Sequence, residues 1–162
     1  MAAFIDRKGQ SWRVELDAPL IEKVRDLHQV NLTNLEADPL LKLRNDPMIL
    51  VAILYLICED EIAERGLTPE QFAKSLPSPP DHMLEAVAEA IVNFYPTGRH
   101  SHVREVLARY QEMSEVTDAI ARTKMAQILK DPKTATRLSS RADKEFDRVM
   151  EEMFPLNSEA GT

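Results

Sequence analysis

The chain has 162 residues, 44% of them apolar, enough for one domain with a real core or for a small domain with an extension. Four glycines against seven methionines favour helix over sheet and argue against a glycine-rich, phosphate-cradling loop. The net charge of −7 falls on residues 1–98, with 9 Lys/Arg against 16 Asp/Glu, while residues 99–162 carry 11 of each. This asymmetry places an expected boundary near Pro96–His100. It divides the chain into a core domain (1–98), a helical extension (99–154) and a disordered tail (155–162).

The only β signal is at the start. Ala3–Asp6 and Ser11–Leu16 flank Arg7-Lys8-Gly9-Gln10, a turn with glycine placed for positive φ. Trp12, Val14 and Leu16 alternate with Arg13 and Glu15, as in a half-buried strand. An isolated hairpin is marginal in water, so this one is expected to lie on helices through Phe4, Trp12 and Val14.

Helix starts are then written repeatedly as an acid before a proline: Asp17-Ala18-Pro19, Asp38-Pro39, Asp46-Pro47 and Asp131-Pro132. The aspartate accepts an orphan backbone N–H, and the proline lacks the N–H that would otherwise go unpaired. Thr68-Pro69-Glu70-Gln71 adds a capping box. The expected helices are Pro19–Gln29, with Leu20, Ile21, Val24 and Leu27 on one face, a short turn over Pro39–Arg44, then Pro47–Arg65 and Pro69–Leu76. Asp81–Phe94 follows the stiff connector Leu76–Pro80. Ser101–Lys130 and Pro132–Met153 complete the set. Within Pro47–Arg65, Met48–Cys58 is an unbroken apolar run of eleven residues. A bilayer span needs roughly 17–25, so the run reads as a buried helix and no membrane association is expected. Ser101–Lys130 carries Val103, Val106, Tyr110, Met113, Thr117 and Ile120 at spacings of three and four, a heptad-like stripe. Pro132–Met153 carries Ala135, Leu138, Ala142, Phe146, Val149 and Met153.

Residues suited to chemistry are few. His100 and His102 are two apart and so leave a helix on different faces, and no cysteine is near to complete a zinc set. Glu59, Asp60, Glu61 and Glu64 read as the solvated end of an apolar helix. The lone Cys58 lies within the apolar run, which suits a core thiol in a reducing compartment. The opening MAAFIDRKGQ lacks the apolar segment of a secretory signal, and a cytoplasmic protein is expected. Arg122–Arg148 holds eight basic residues against four acids, but they are mixed and lack interleaved aromatics, so nucleic acid is disfavoured as a partner. Neither a catalytic site, a cofactor nor a metal is expected.

The order Phe4-x-Asp6-x-x-Gly9-x-x-Trp12, Val24-Arg25-Asp26, Asn31-Leu32, Leu40-x-x-Leu43, Asp46-Pro47, Arg65-Gly66-Leu67-Thr68, Gln71-Phe72 and Phe94-Tyr95-Pro96 resembles the tail assembly chaperone-like proteins of tailed phages and prophages. The resemblance covers roughly residues 4–105. It implies a non-enzymatic helper that binds the tape measure protein during tail assembly, with no catalytic residues to carry over. In some members a longer form arises by translational frameshifting. A structural tail or neck subunit is the alternative, and a DNA-associated regulator using Arg122–Arg148 a more distant one. The expected fold is mainly α, an N-terminal β-hairpin packed on a helical bundle with a C-terminal helical extension. Val103, Val106, Tyr110, Met113 and Ile120 are the expected contacts for a partner, either a second copy or the client. Met113, Met125, Met150 and Met153 would lend such a surface adaptability.

Overall fold

The computed structural model describes residues 1–153, those at 134, 135 and 153 by backbone alone; the expected tail 155–162 lies outside the described residues. The chain is mainly helical with one two-stranded hairpin. It divides into two compact units, the first Met1–Ser114 and the second beginning at Glu115. The expected boundary at 98 therefore lies inside the first unit. The physical reason is that Val103 and Leu107 are buried with the same core as the hairpin and the preceding helices.

Strands β1 (Ala3–Ile5) and β2 (Ser11–Arg13) pair antiparallel with Phe4 opposite Trp12. Both of these rings are buried, while Ala3, Ile5, Ser11 and Arg13 face out, the two-residue alternation a half-buried sheet requires. The strands are shorter than expected, but Val14 still donates to the Ala2 carbonyl (2.9 Å) and is buried. The turn is held by Asp6, whose Oδ1 accepts from the N–H of Lys8 (2.8 Å) and Gln10 (2.9 Å). Gly9 supplies the positive φ of 79° that this turn needs.

Each acid–proline signal starts a helix. Asp17 caps α1 (Ala18–His28) by accepting from Leu20 N–H at 2.8 Å. Asp38 caps α2 (Pro39–Asn45), and Asp46 caps α3 (Pro47–Ile57) by accepting from Met48 and Ile49. Thr68 and Gln71 complete the capping box of α5 (Pro69–Ser75). In α1 the buried residues are Ile21 and Val24; Leu27, expected on that face, is exposed.

The apolar run does form a core helix, but it does not continue unbroken to Arg65. Helix α3 ends at Ile57, and Cys58 (φ −95°, ψ 10°) leads into α4 (Glu59–Glu64). The chain stays helical in its hydrogen bonding across this joint, with Cys58 N–H to Leu54 and Ile62 N–H to the Cys58 carbonyl. Ile62, four residues after the buried Cys58, is buried as well, while Glu59, Asp60 and Glu61 fall in the first turn of α4, where the helix dipole favours acids. Leu50, Ile53, Leu54 and Cys58 are buried, their neighbours are half-buried and Met48 is exposed. Helix α6 (Asp81–Phe94) covers the other side of the core with Met83, Leu84, Val87 and Ile91 and packs on β1. Helices α7 (His100–Lys130) and α8 (Pro132–Met153) follow, close to their expected bounds.

Ile53 is fully buried among apolar side chains. Ile53→Asp would place an unpaired charge there, and we expect a loss of several kcal/mol, enough to unfold the first unit. Thermal melting followed by circular dichroism tests this, and a variant that melts with the parent would remove α3 from the centre of the core.

Candidate interaction surface

The stripe on α7 is split by the fold. Val103 is 2% exposed and belongs to the core of the first unit, together with Leu107. Val106 and Tyr110 are half-buried. Met113 is 64% and Ile120 50% exposed. Val103 is thus turned inward and is not open to a partner, while Met113 and Ile120 face solvent. The extent of the core accounts for the split: Val103 and Leu107 lie where α7 packs on the first unit, whereas from Glu115 to Glu152 the described side chains are exposed on every face of the helix. Sequence spacing did not flag Leu107 as a core residue, although it lies one turn from Val103 and was available to the same argument.

Beyond Ser114 the pattern is uniform. Every described residue from Glu115 to Glu152 whose burial is given is exposed. Val116, Ile120, Met125 and Leu129 on α7, and Leu138, Phe146, Val149 and Met150 on α8, all face solvent. The expected positions Ala135 and Met153 lie outside the described side chains.

The first unit closes its own polar groups. Trp12 is sealed, its ring meeting Phe72 edge-on at 4.9 Å and 75° and covered by the Arg65 guanidinium 4.0 Å from the ring centroid. Its indole N–H donates to Asp6 Oδ2 at 3.0 Å. Arg65 also donates to the Ser11 carbonyl (2.8 Å) and to Glu61 (3.0 Å), and Glu61 in turn accepts from Arg13 (3.1 Å). The Glu61 side chain is only 15% exposed, so this member of the acidic run is a clamp between α4 and the hairpin rather than a solvated end. Glu59 pairs with Lys23 at the surface.

Of the remaining reactive side chains, Cys58 is shielded. Burial pushes the Cys58 thiol up to about 12, aided by the charge of Glu61, and its Sγ–H points at the Arg13 carbonyl at 3.6 Å. A thiol so protonated is a poor nucleophile. His100 Nε2 lies 2.7 Å from the Tyr95 carbonyl, His82 is beside Glu85, and His102 is exposed. Among the described residues no three His, Cys, Asp or Glu side chains converge to hold a metal ion. Nor is any helix among them long and apolar enough to cross a membrane. An open trough of about 520 Å³ lies between Met1–Ile5 and the His82, Glu85, Ala86 and Glu89 side of α6. It collects two acids, a histidine and backbone, with no nucleophile.

Comparison with protein-family models, with curated proteins and with solved structures finds no match.

Two predictions separate core from surface. Leu107→Ala should lower the stability of the first unit by about 2–5 kcal/mol, whereas Ile120→Ala should change it by less than about 0.5 kcal/mol; denaturant titration of Trp12 fluorescence reads both. Asp6 supplies a pH test. Burial opposes its charge, but the Trp12 indole and the N–H groups of Gln10 and Lys8 outweigh that, holding the carboxyl below its ordinary 3.8. A lowered folded-state value means that the contribution is complete above 3.8 and fades as pH falls through the folded value. Asp6→Asn should cost about 1–3 kcal/mol at neutral pH and lose less further stability on acidification than the parent. Equal acid sensitivity of the two would show that the Asp6 carboxylate is not held as the acceptor of the turn and of Trp12.

Proposed function

We propose that this chain is a non-enzymatic tail assembly chaperone that binds the tape measure protein in the host cytoplasm while a phage tail is built. The reading rests on the order of motifs from Phe4 to Tyr95 and on one physical observation: beyond a closed core, α7 presents Met113 and Ile120 to solvent. An elongated helical client carries apolar faces that must be covered before assembly, and a helix with an exposed apolar face covers them by lying alongside. Methionine fits such work because its flexible thioether adapts to varied neighbours.

A structural tail or neck subunit would use the same surface, since Val116 and Leu129 are also exposed and a subunit needs faces for its neighbours. Purified particles distinguish the two, because a subunit stays in them and a chaperone leaves.

Co-expression with the product of an adjacent, very long gene tests the proposal. We expect that product to be kept soluble and to co-purify at defined stoichiometry. Met113→Asp with Ile120→Asp should reduce its recovery by roughly tenfold or more, because burying either charge against an apolar partner is strongly unfavourable, while Trp12 emission stays unchanged. A client that is equally soluble without the chain would overturn the proposal.

A further inference from the structure

We propose that α8 is a self-association helix, pairing antiparallel with α8 of a second copy of this chain. This does not rest on the chaperone reading.

Three observations carry it. First, Leu138, Ala142, Phe146 and Met150 are exposed, with Phe146 66% open to solvent. Second, these positions are symmetric about residue 144: Leu138 and Met150 lie six residues to either side, Ala142 and Phe146 two. A two-fold contact must be self-complementary. Antiparallel pairing centred there sets Leu138 against Met150 of the second copy, and the small Ala142 against its large Phe146.

Third, the charges select the same occupant. Residues 132–142 carry Lys133, Arg137 and Arg141 with no acid, a charge of +3. Residues 143–153 carry five acids and two bases, a charge of −3. This order opposes the helix's own dipole, with no acid in the first turn and no base in the last, which is unfavourable for α8 alone. An antiparallel copy lays its negative half along each positive half. Arg137, Arg141, Glu145, Arg148 and Glu152 follow one another at spacings of four, four, three and four and so line one flank of the stripe. Antiparallel pairing brings like flanks together, so on this flank Arg141 meets Glu145 of the second copy and Arg137 its Glu152, while the other flank sets Asp143 against Asp147. Arg148 is already held within its helix by Glu145 (3.1 Å) and Glu152 (3.9 Å). Among the described residues Arg137 and Arg141 have no ion-pair partner. Folding α8 back along α7 would do the reverse, setting its basic half on Arg122, Lys124 and Lys130 and its acidic half on Glu115 and Asp118.

Sedimentation of the full chain tests the pairing. We expect a reversible dimer that weakens with added salt and is abolished by Phe146→Asp. R137E/R141E and E145R/E152R should each dimerise roughly tenfold or more weakly than the parent, and an equimolar mixture of the two should recover the dimer. The fourfold reversal R137E/R141E/E145R/E152R should recover it within one chain, which decides the matter if either double variant loses helix. Trp12 emission should be unchanged throughout, showing the first unit intact. A parent that stays monomeric, a dimer indifferent to Phe146→Asp, or a fourfold variant that remains monomeric would each overturn the proposal and leave the stripe to a different partner.

Discussion

The Trp12 indole lies where four parts of the first unit meet, and the hairpin depends on it. Two three-residue strands do not hold together in water by themselves. Here the ring of β2 is driven into the core against Phe72 of α5, roofed by Arg65 after α4, and fixed at its N–H by Asp6 from the turn. Burying an aromatic ring of this size is the largest apolar gain the hairpin can make. The buried indole N–H would be costly without an acceptor. Asp6 answers it with one carboxylate oxygen and shapes the turn with the other, so one residue couples the local turn to the distant core.

The surface charges around this point differ in weight. Most ion pairs of the first unit, such as Lys74 with Glu70, are exposed on both sides and contribute little. Glu61 is different because it is mostly covered and accepts from both Arg13 and Arg65. Removing it would leave two guanidiniums short of an acceptor beside the sealed indole. Cys58, one turn earlier, is shielded by the same packing, and its raised pKa follows from that burial.

Helix α7 joins two kinds of physics. Its first turns are held by tertiary burial through Val103 and Leu107, the usual source of helix stability in proteins. Past Ser114 the described side chains gain no such burial, and amphipathic faces on α7 and α8 remain directed at solvent. The chain thus combines a closed core with exposed apolar stripes, and α8 carries its charges in the order opposite to the helix dipole.

Local signals determined much of this protein from the sequence alone. Asp17, Asp38 and Asp46 each start a helix where an acid precedes a proline, because a cap is made by residues within one turn of each other. The hairpin, the core placement of the apolar run from Leu50 to Cys58 and the mainly α class were legible for the same reason, as periodicity and run length are properties of neighbours. Tertiary structure decided the rest. The Arg65 roof over Trp12 and the Glu61 clamp involve partners 48 to 55 residues apart, such as Arg13 with Glu61 and Arg65 with Gln10, and no spacing encodes those meetings. The division of the α7 stripe was also hidden. Val103 and Ile120 are alike in sequence pattern, and only the extent of the core against which α7 lies sets one inside and leaves the other in water.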